Sequence, residues 1–226
     1  GVGAAIIYID SNRDETFNTP YIDGLSLARR YQNPQRRYLR TDWDIIPPLK
    51  DAAVFRGPKV LIRQAGVGIT ATLIAGDDRF PQSIYTYRVT PEAAKEGHTN
   101  ELILACLASR VMNFVHMKRS GEVDPARAFA KLTHARLSEF PIPILDSPAK
   151  LQLASEIATD VQSMLSVAQY GRDPDLRIEL KLRELWGITP DEGRYINGFF
   201  SKLPSGQALC DLFPEGPPSP TPFPTD

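Results

Sequence analysis

The chain has 226 residues, 42% hydrophobic and 23% charged, with a formal net charge of −1. That is enough apolar material for a buried core, in one large domain or in one domain with a helical extension. The longest apolar run, residues 102–117, is broken by Arg110, Asn113 and His116 and is therefore a core helix, which excludes a membrane span there.

Residues 4–9 (AAIIYI) are apolar and β-branched and predict a buried strand. Residues 21–31 carry no regular period, and residues 37–40 (RYLR) alternate as a short strand does. Residues 44–55 contain Pro47-Pro48 and read as a loop or a broken helical turn. Residues 59–65 and 70–75 flank Gly66-Val67-Gly68, the pattern of a hairpin with a glycine-relieved turn. Residues 83–89 (SIYTYRV) make a further strand.

The period then changes to 3.6. Thr99 or Asn100 caps a helix with Glu101 in its first turn, running to about Lys118 and stopping at Ser120-Gly121. Residues 129–137 and 139–144 read as extended segments returning to the sheet, with Pro141 and Pro143 confining the second to an edge. Beyond Asp146 the pattern is helical. Ser147-Pro148 opens a helix whose Leu151, Ala154, Ala158, Val161, Leu165 and Ala168 form a short heptad seam. Asp173-Pro174 starts a second helix, with Leu176, Ile178, Leu180, Leu182 and Trp186 as its apolar positions, and Thr189 to Glu192 is a capping box for a third. The last 23 residues hold seven prolines and predict a tail without a core of its own. These boundaries divide the chain into a β-rich part at 1–146, a helical extension at 147–203 and a Pro-rich tail at 204–226.

Charge is distributed unevenly. Between Arg29 and Arg63 there are nine basic residues against three acidic ones, an excess of six in a neutral chain. Arg36, Arg37 and Arg40 are interleaved with Tyr31 and Tyr38, a mixture suited to phosphate and sugar. Lys59 and Arg63 lie on one strand, and Arg63 is followed by Gln64; arginine and glutamine are the side chains that read guanine and adenine edges bidentately. Arg79 and Gln82 stand in the loop before the SIYTYRV strand. Each residue taken singly also fits a solvated face or an internal ion pair.

No catalytic set emerges from the sequence. Gly66-Val67-Gly68 lies between strands, which makes it a turn and not a cofactor loop. Asn33-Pro34-Gln35 lacks the second proline and the aromatic of a base-gripping loop. Asp77-Asp78 is the only adjacent pair of aspartates and reads as a solvated turn. His98, His116 and His134 fall on three different elements without metal-ligand spacing, and Cys106 and Cys210 show neither disulfide nor metal spacing. With no signal-peptide pattern in view, a reduced, cytoplasmic setting is expected.

Six segments, taken in order, resemble one family. They are Tyr21-Ile22-Asp23-Gly24 with Ala28-Arg29-Arg30-Tyr31; Arg37-Tyr38-Leu39; Phe55-Arg56-Gly57-Pro58-Lys59-Val60-Leu61-Ile62-Arg63; residues 102–114; residues 131–143; and Leu185-Trp186-Gly187-Ile188-Thr189-Pro190-Asp191-Glu192. Together they look like the TaqI-type C-terminal specificity domain, the target recognition domain of restriction-modification adenine-N6 DNA methyltransferases. Leu25-Ser26-Leu27 departs from that family's acidic version of the opening segment.

The resemblance implies an α+β fold: a mixed β-sheet target-recognition domain with a packed core helix, followed by a C-terminal helical segment. It implies a module that binds double-stranded DNA and is not catalytic alone, beside a methyltransferase domain in the same chain or complex. Endonuclease activity of the parent enzyme is compatible with that. No cofactor is expected in this chain, S-adenosylmethionine belonging to the parent's catalytic domain, and no metal. The DNA-contact candidates, chosen on residue chemistry, are Arg36, Arg37, Arg40, Lys59, Arg63, Gln64, Arg79 and Gln82. Two other readings stand beside this one: a protein-docking or specificity subunit using the helical segment, and a binder of single-stranded nucleic acid.

Overall fold

Strand-forming residues gather in the first 87 positions and helix-forming ones follow, so the fold is α+β. The computed structural model describes residues 9–27, 31–40, 52–66, 68–120, 130–167 and 172–201. The predicted strand at 4–9 lies almost wholly outside them, as do Pro47-Pro48, Ala168 and the Pro-rich tail.

The first sheet is antiparallel, with β3 (Arg37–Arg40) between β1 (Ile9–Asp10) and β2 (Phe17–Tyr21). Strand β2 was not legible in the sequence, because Asn18 and Pro20 disfavour strands. Proline is accommodated because β2 is an edge. The second sheet places β4 (Lys59–Arg63) between β6 (Ala71–Ile74) and β7 (Ile84–Tyr87), again antiparallel. Strand β4 stops at Arg63. Ala65–Gly66 form a separate short strand, β5, paired with β8 (Ala130–Lys131), so the hairpin predicted from 59–65 and 70–75 is shorter than its sequence pattern.

Alternation on β4 divides the interior. Val60 and Ile62 join the main core, and Leu61 faces the other way, into a second cluster with Ile22, Leu27, Phe55, Ile74, Phe80 and Ile84. The strand is covered on both faces, which is why it reads as a continuous apolar run.

The main core is built on α2 (Asn100–Ala108), where every residue from Leu102 to Ala108 is buried. It follows the single-turn helix α1 (Pro91–Lys95). Thr99 caps α2 by accepting from the Leu102 amide at 3.1 Å. The one long helix expected here is broken at Ser109, which adopts extended backbone before α3 (Arg110–Ser120). The Ser109 hydroxyl donates to Cys106 O at 2.7 Å and accepts from the Met112 amide at 3.0 Å, ending one helix and capping the next. Of residues 129–137, expected to be extended, 134–137 instead belong to the short helix α4 (His134–Ser138), capped by Thr133, and residues 139–144, expected at a sheet edge, pair with no sheet.

Helices α5 (Pro148–Ser166) and α7 (Pro190–Ser201) begin where their caps predict, whereas α6 (Arg172–Trp186) starts ahead of the expected Asp173-Pro174, which lie in its first turn. Thr189 and Glu192 make the reciprocal box, at 2.8 Å and 3.3 Å. On α5, which packs on α2 and α6, Ala154, Ala158 and Val161 of the heptad-like seam are buried together with Ile157, Leu165 is partly buried, and Leu151 is exposed. The main core therefore continues across residue 146, from Tyr31 and Ile62 to Ile178 and Leu182. Among the described residues no helix is long and apolar enough to cross a membrane.

Candidate nucleic-acid interface

The odd-numbered side of β4 leads to the basic cluster. Lys59, Leu61 and Arg63 share that face, which abuts the loop leaving β2. At its end the Arg63 guanidinium reaches Gly24 O at 3.4 Å, and it packs so closely over Gly66 that a Cβ there would meet Nη2 at 2.5 Å. Arg37, on β3, pairs with Asp23 at 3.0 Å. Arg79 is tied to the same loop by its backbone, donating to Pro20 O and accepting from Ile22 N, both at 2.8 Å, and its guanidinium lies 4.4 Å from the Phe55 ring centre. Arg36 pairs with Asp78 at 2.6 Å, next to Arg79. Arg37, Arg63 and Arg79, from three separate stretches of chain, thus contact residues 20–26, and Arg36 joins them through Asp78.

Two carboxylates organise them. Asp23 accepts from Leu25 N at 2.9 Å, Ser26 N at 2.7 Å and Ser26 Oγ at 2.8 Å, which closes the turn, while its second oxygen takes Arg37. Burial raises the Asp23 pKa, but the hydrogen bonds from Ser26, Arg37 and Leu25 outweigh it and hold the carboxyl below the usual range. Asp78, expected in a solvated turn, is 2% exposed and serves as the partner of Arg36. Its charge is balanced by an arginine 42 positions away, a pairing that sequence cannot display. Asp77 does lie exposed, accepting from the Gly57 amide at 2.8 Å.

The other candidates separate from this cluster. Lys59 is fully buried, and its ammonium donates to Phe55 O at 2.6 Å, Gly57 O at 2.7 Å and Gly76 O at 2.7 Å. All three of its donors are committed, so Lys59 is a structural cation here and leaves the list of surface contacts. Burial, then the nearby Arg88 charge, lower its pKa. Gln64 follows the end of β4 and turns to the opposite side, donating to the Tyr85 hydroxyl at 2.5 Å, with the His134 ring 4.1 Å from that of Tyr85. Arg40 lies 5.8 Å from the Phe17 ring centre at the far end of β3. Gln82 is exposed in the turn before β7. Arg29, Arg30 and Lys50, part of the basic stretch, fall outside the described residues.

A concavity of about 450 Å³ opens at the Tyr87 end of β7, away from Arg63, which pairs with Ile84. Val89, Ile103, Ile142 and Leu145 make its lining largely apolar, and Glu96 and His98 stand at it. The His98 ring nitrogens lie 3.3 Å from Ala93 O and 3.1 Å from Pro143 O, which pins the proline segment to α1. Among the described residues no group of three His, Cys, Asp or Glu side chains is placed to hold a metal ion. The Cys106 thiol is buried in α2, where desolvation pushes its pKa up and makes it a poor nucleophile.

Neither a scan against protein-family models nor a search of curated proteins finds a match to this chain. The residues missed in the sequence are Asp23, Asp78, Gly24 and Gly66. An Asp-Gly pair is an ordinary turn signal and marks the loop at Asp23-Gly24; Asp78 and Gly66 are legible as turn residues, but nothing local marks Arg36 as the partner of the first or Arg63 as the side chain over the second.

Proposed function

We propose that this chain is a sequence-specific recognition module for double-stranded DNA, of the TaqI-type specificity class, and that it presents the target to an adenine-N6 methyltransferase domain in the same polypeptide or complex. In this reading it does no chemistry by itself, and S-adenosylmethionine binds the catalytic partner. The observation that carries the proposal is that the Arg37 and Arg63 guanidinium groups both bind one ordered loop, with Arg79 joined to that loop through its backbone and Arg36 held next to Arg79 by Asp78. Bound to carboxylate, carbonyl and ring partners, these guanidinium groups are held in place before any ligand arrives. Arginine is suited to this work because its planar fork pairs with phosphates and guanine edges. Arg36 and Arg37 retain 50% and 38% of their side-chain exposure, so donors remain for a second partner.

The docking alternative has less apolar surface to draw on, because Ala154, Ala158 and Val161 of the α5 seam are buried internally, although Leu151 is exposed. The test is titration of a mixed-sequence duplex with the purified chain, read by fluorescence anisotropy across a salt series. Affinity should fall with salt by a log–log slope of about −0.9 for each phosphate neutralised. The Arg36→Gln/Arg37→Gln double variant should show a shallower slope. Absence of duplex binding at low salt, or equal binding by the double variant, overturns the proposal.

A further inference from the structure

Leu25 has 91% of its surface exposed, more than any other large hydrophobic residue described. A lone exposed leucine is common on protein surfaces. This one differs in how it is held and in what surrounds it. The turn beneath it is closed by the Asp23 carboxylate, and the Ser26 carbonyl accepts from Gln35 N at 3.1 Å, so the side chain stands on an ordered base. On that same base, Arg37 binds Asp23 and Arg63 binds Gly24 O. The next most exposed residues, Ile144 and Tyr195, have different surroundings: Ile144 lines the apolar cleft, and the Tyr195 ring packs on Phe114.

We propose, resting on the DNA-recognition reading, that Leu25 is a wedge that enters between two adjacent base pairs of the bound duplex. Arg37 and Arg63, fixed beside it, meet the flanking phosphates. An apolar side chain between bases exchanges base stacking for its own burial and opens a kink, and nearby cations offset the repulsion of the phosphates drawn together there. Folding gives this leucine almost no burial, and insertion into DNA would supply it.

The experiment begins by enriching bound duplexes from a random-sequence pool with the wild-type chain. The enriched duplex is then made with a single 2-aminopurine at each successive position, and fluorescence is followed as protein is added. Wild type should raise emission several-fold at one step and leave the other positions unchanged. Leu25→Ala should abolish that rise while still binding the duplex, and Leu25→Met should restore it. Because the side chain is nearly fully exposed, Leu25→Ala leaves the core intact, and its thermal melt should match wild type. Emission unchanged at every position for bound wild type, or a rise that survives Leu25→Ala, overturns the wedge but leaves DNA recognition standing. Failure to enrich any duplex overturns the recognition reading, and the wedge with it.

Discussion

Arg37, on the central strand of the first sheet, meets Asp23 at 3.0 Å, and the same carboxylate closes the turn that carries Leu25. One aspartate therefore sets both the loop's shape and the aim of an arginine. Position and charge at this surface are coupled through it.

Replacing Asp23 by Ala should destabilise the fold by about 1–3 kcal/mol, since three turn donors and a guanidinium lose their acceptor. The stabilisation has a defined pH range. The folded pKa lies below the unfolded value, so the contribution is full above the unfolded pKa and is lost as pH falls through the folded one. Urea unfolding of wild type and D23A at pH 7 and at pH 3 should show the gap between them narrowing in acid.

Lys59 tests the division between structural and surface cations. Its replacement by Met leaves three buried or half-buried carbonyls without their donor, and stability should drop by about 3–5 kcal/mol. Duplex affinity per folded molecule should stay at the wild-type value. Anisotropy titration corrected for the folded fraction checks this, and a specific loss of affinity would return Lys59 to the binding surface.

His116 should dominate an acid-sensitive step. Burial, reinforced by the positive charge of Arg136, lowers its pKa to about 4. Between pH 6.5 and 4 the unfolded chain binds the proton and the folded protein does not, so stability falls on acidification by about 3 kcal/mol and the loss is complete below pH 4. His116 also packs edge-on against Phe140, with ring centres 5.9 Å apart, and its Nε2 has no hydrogen-bond partner. His116→Phe should keep the packing and flatten the stability profile across that window. Denaturant midpoints at pH 7, 5 and 4 give the answer.

Glu179 and Arg183 form a buried ion pair at 3.2 Å that also fastens the break between α2 and α3, Glu179 accepting from Arg110 N at 2.9 Å. Arg183 continues the network to Asn197 on α7, at 3.1 Å. Glu179→Ala should cost about 3–5 kcal/mol, because it takes the paired carboxylate from a buried guanidinium and the acceptor from the Arg110 amide. Glu179→Gln should cost less, since it keeps an acceptor. Equal losses in thermal unfolding of the two variants would mean that the charge carries the whole effect.

Gly66→Ala addresses Arg63 without removing it. The added methyl occupies the guanidinium's place, so Arg63 must swing away from Gly24. If Arg63 reads a base, G66A and R63A should both lose about 1–3 kcal/mol of discrimination at the same base pair of an enriched duplex. Wild-type discrimination by both variants would place base reading elsewhere.

Much of the fold is legible because its signals are local. Thr99, Ser147 and Thr189 each cap the helix that follows, and the continuous apolar run of β4 marks a strand covered on both faces. Strand β2 was hidden because Pro20 argues against it until an edge position is known, and α4 was hidden by its length of five residues. The division of α2 from α3 also escaped the sequence. Ser109 is followed by Arg110, whose amide finds its acceptor on Glu179, 69 positions along the chain.

The candidate site shows the same limit within one strand. Period-2 alternation places Lys59 and Arg63 on one face of β4, and the sequence determines that much. Depth is another matter. Lys59 lies under the 52–55 turn and beside Gly76, where three carbonyls enclose it, whereas Arg63 stands at the strand's end beside a loop supplied by β2. Which of two like charges is sealed in and which is presented depends on what other segments lay over them, and only the tertiary structure brings those segments together.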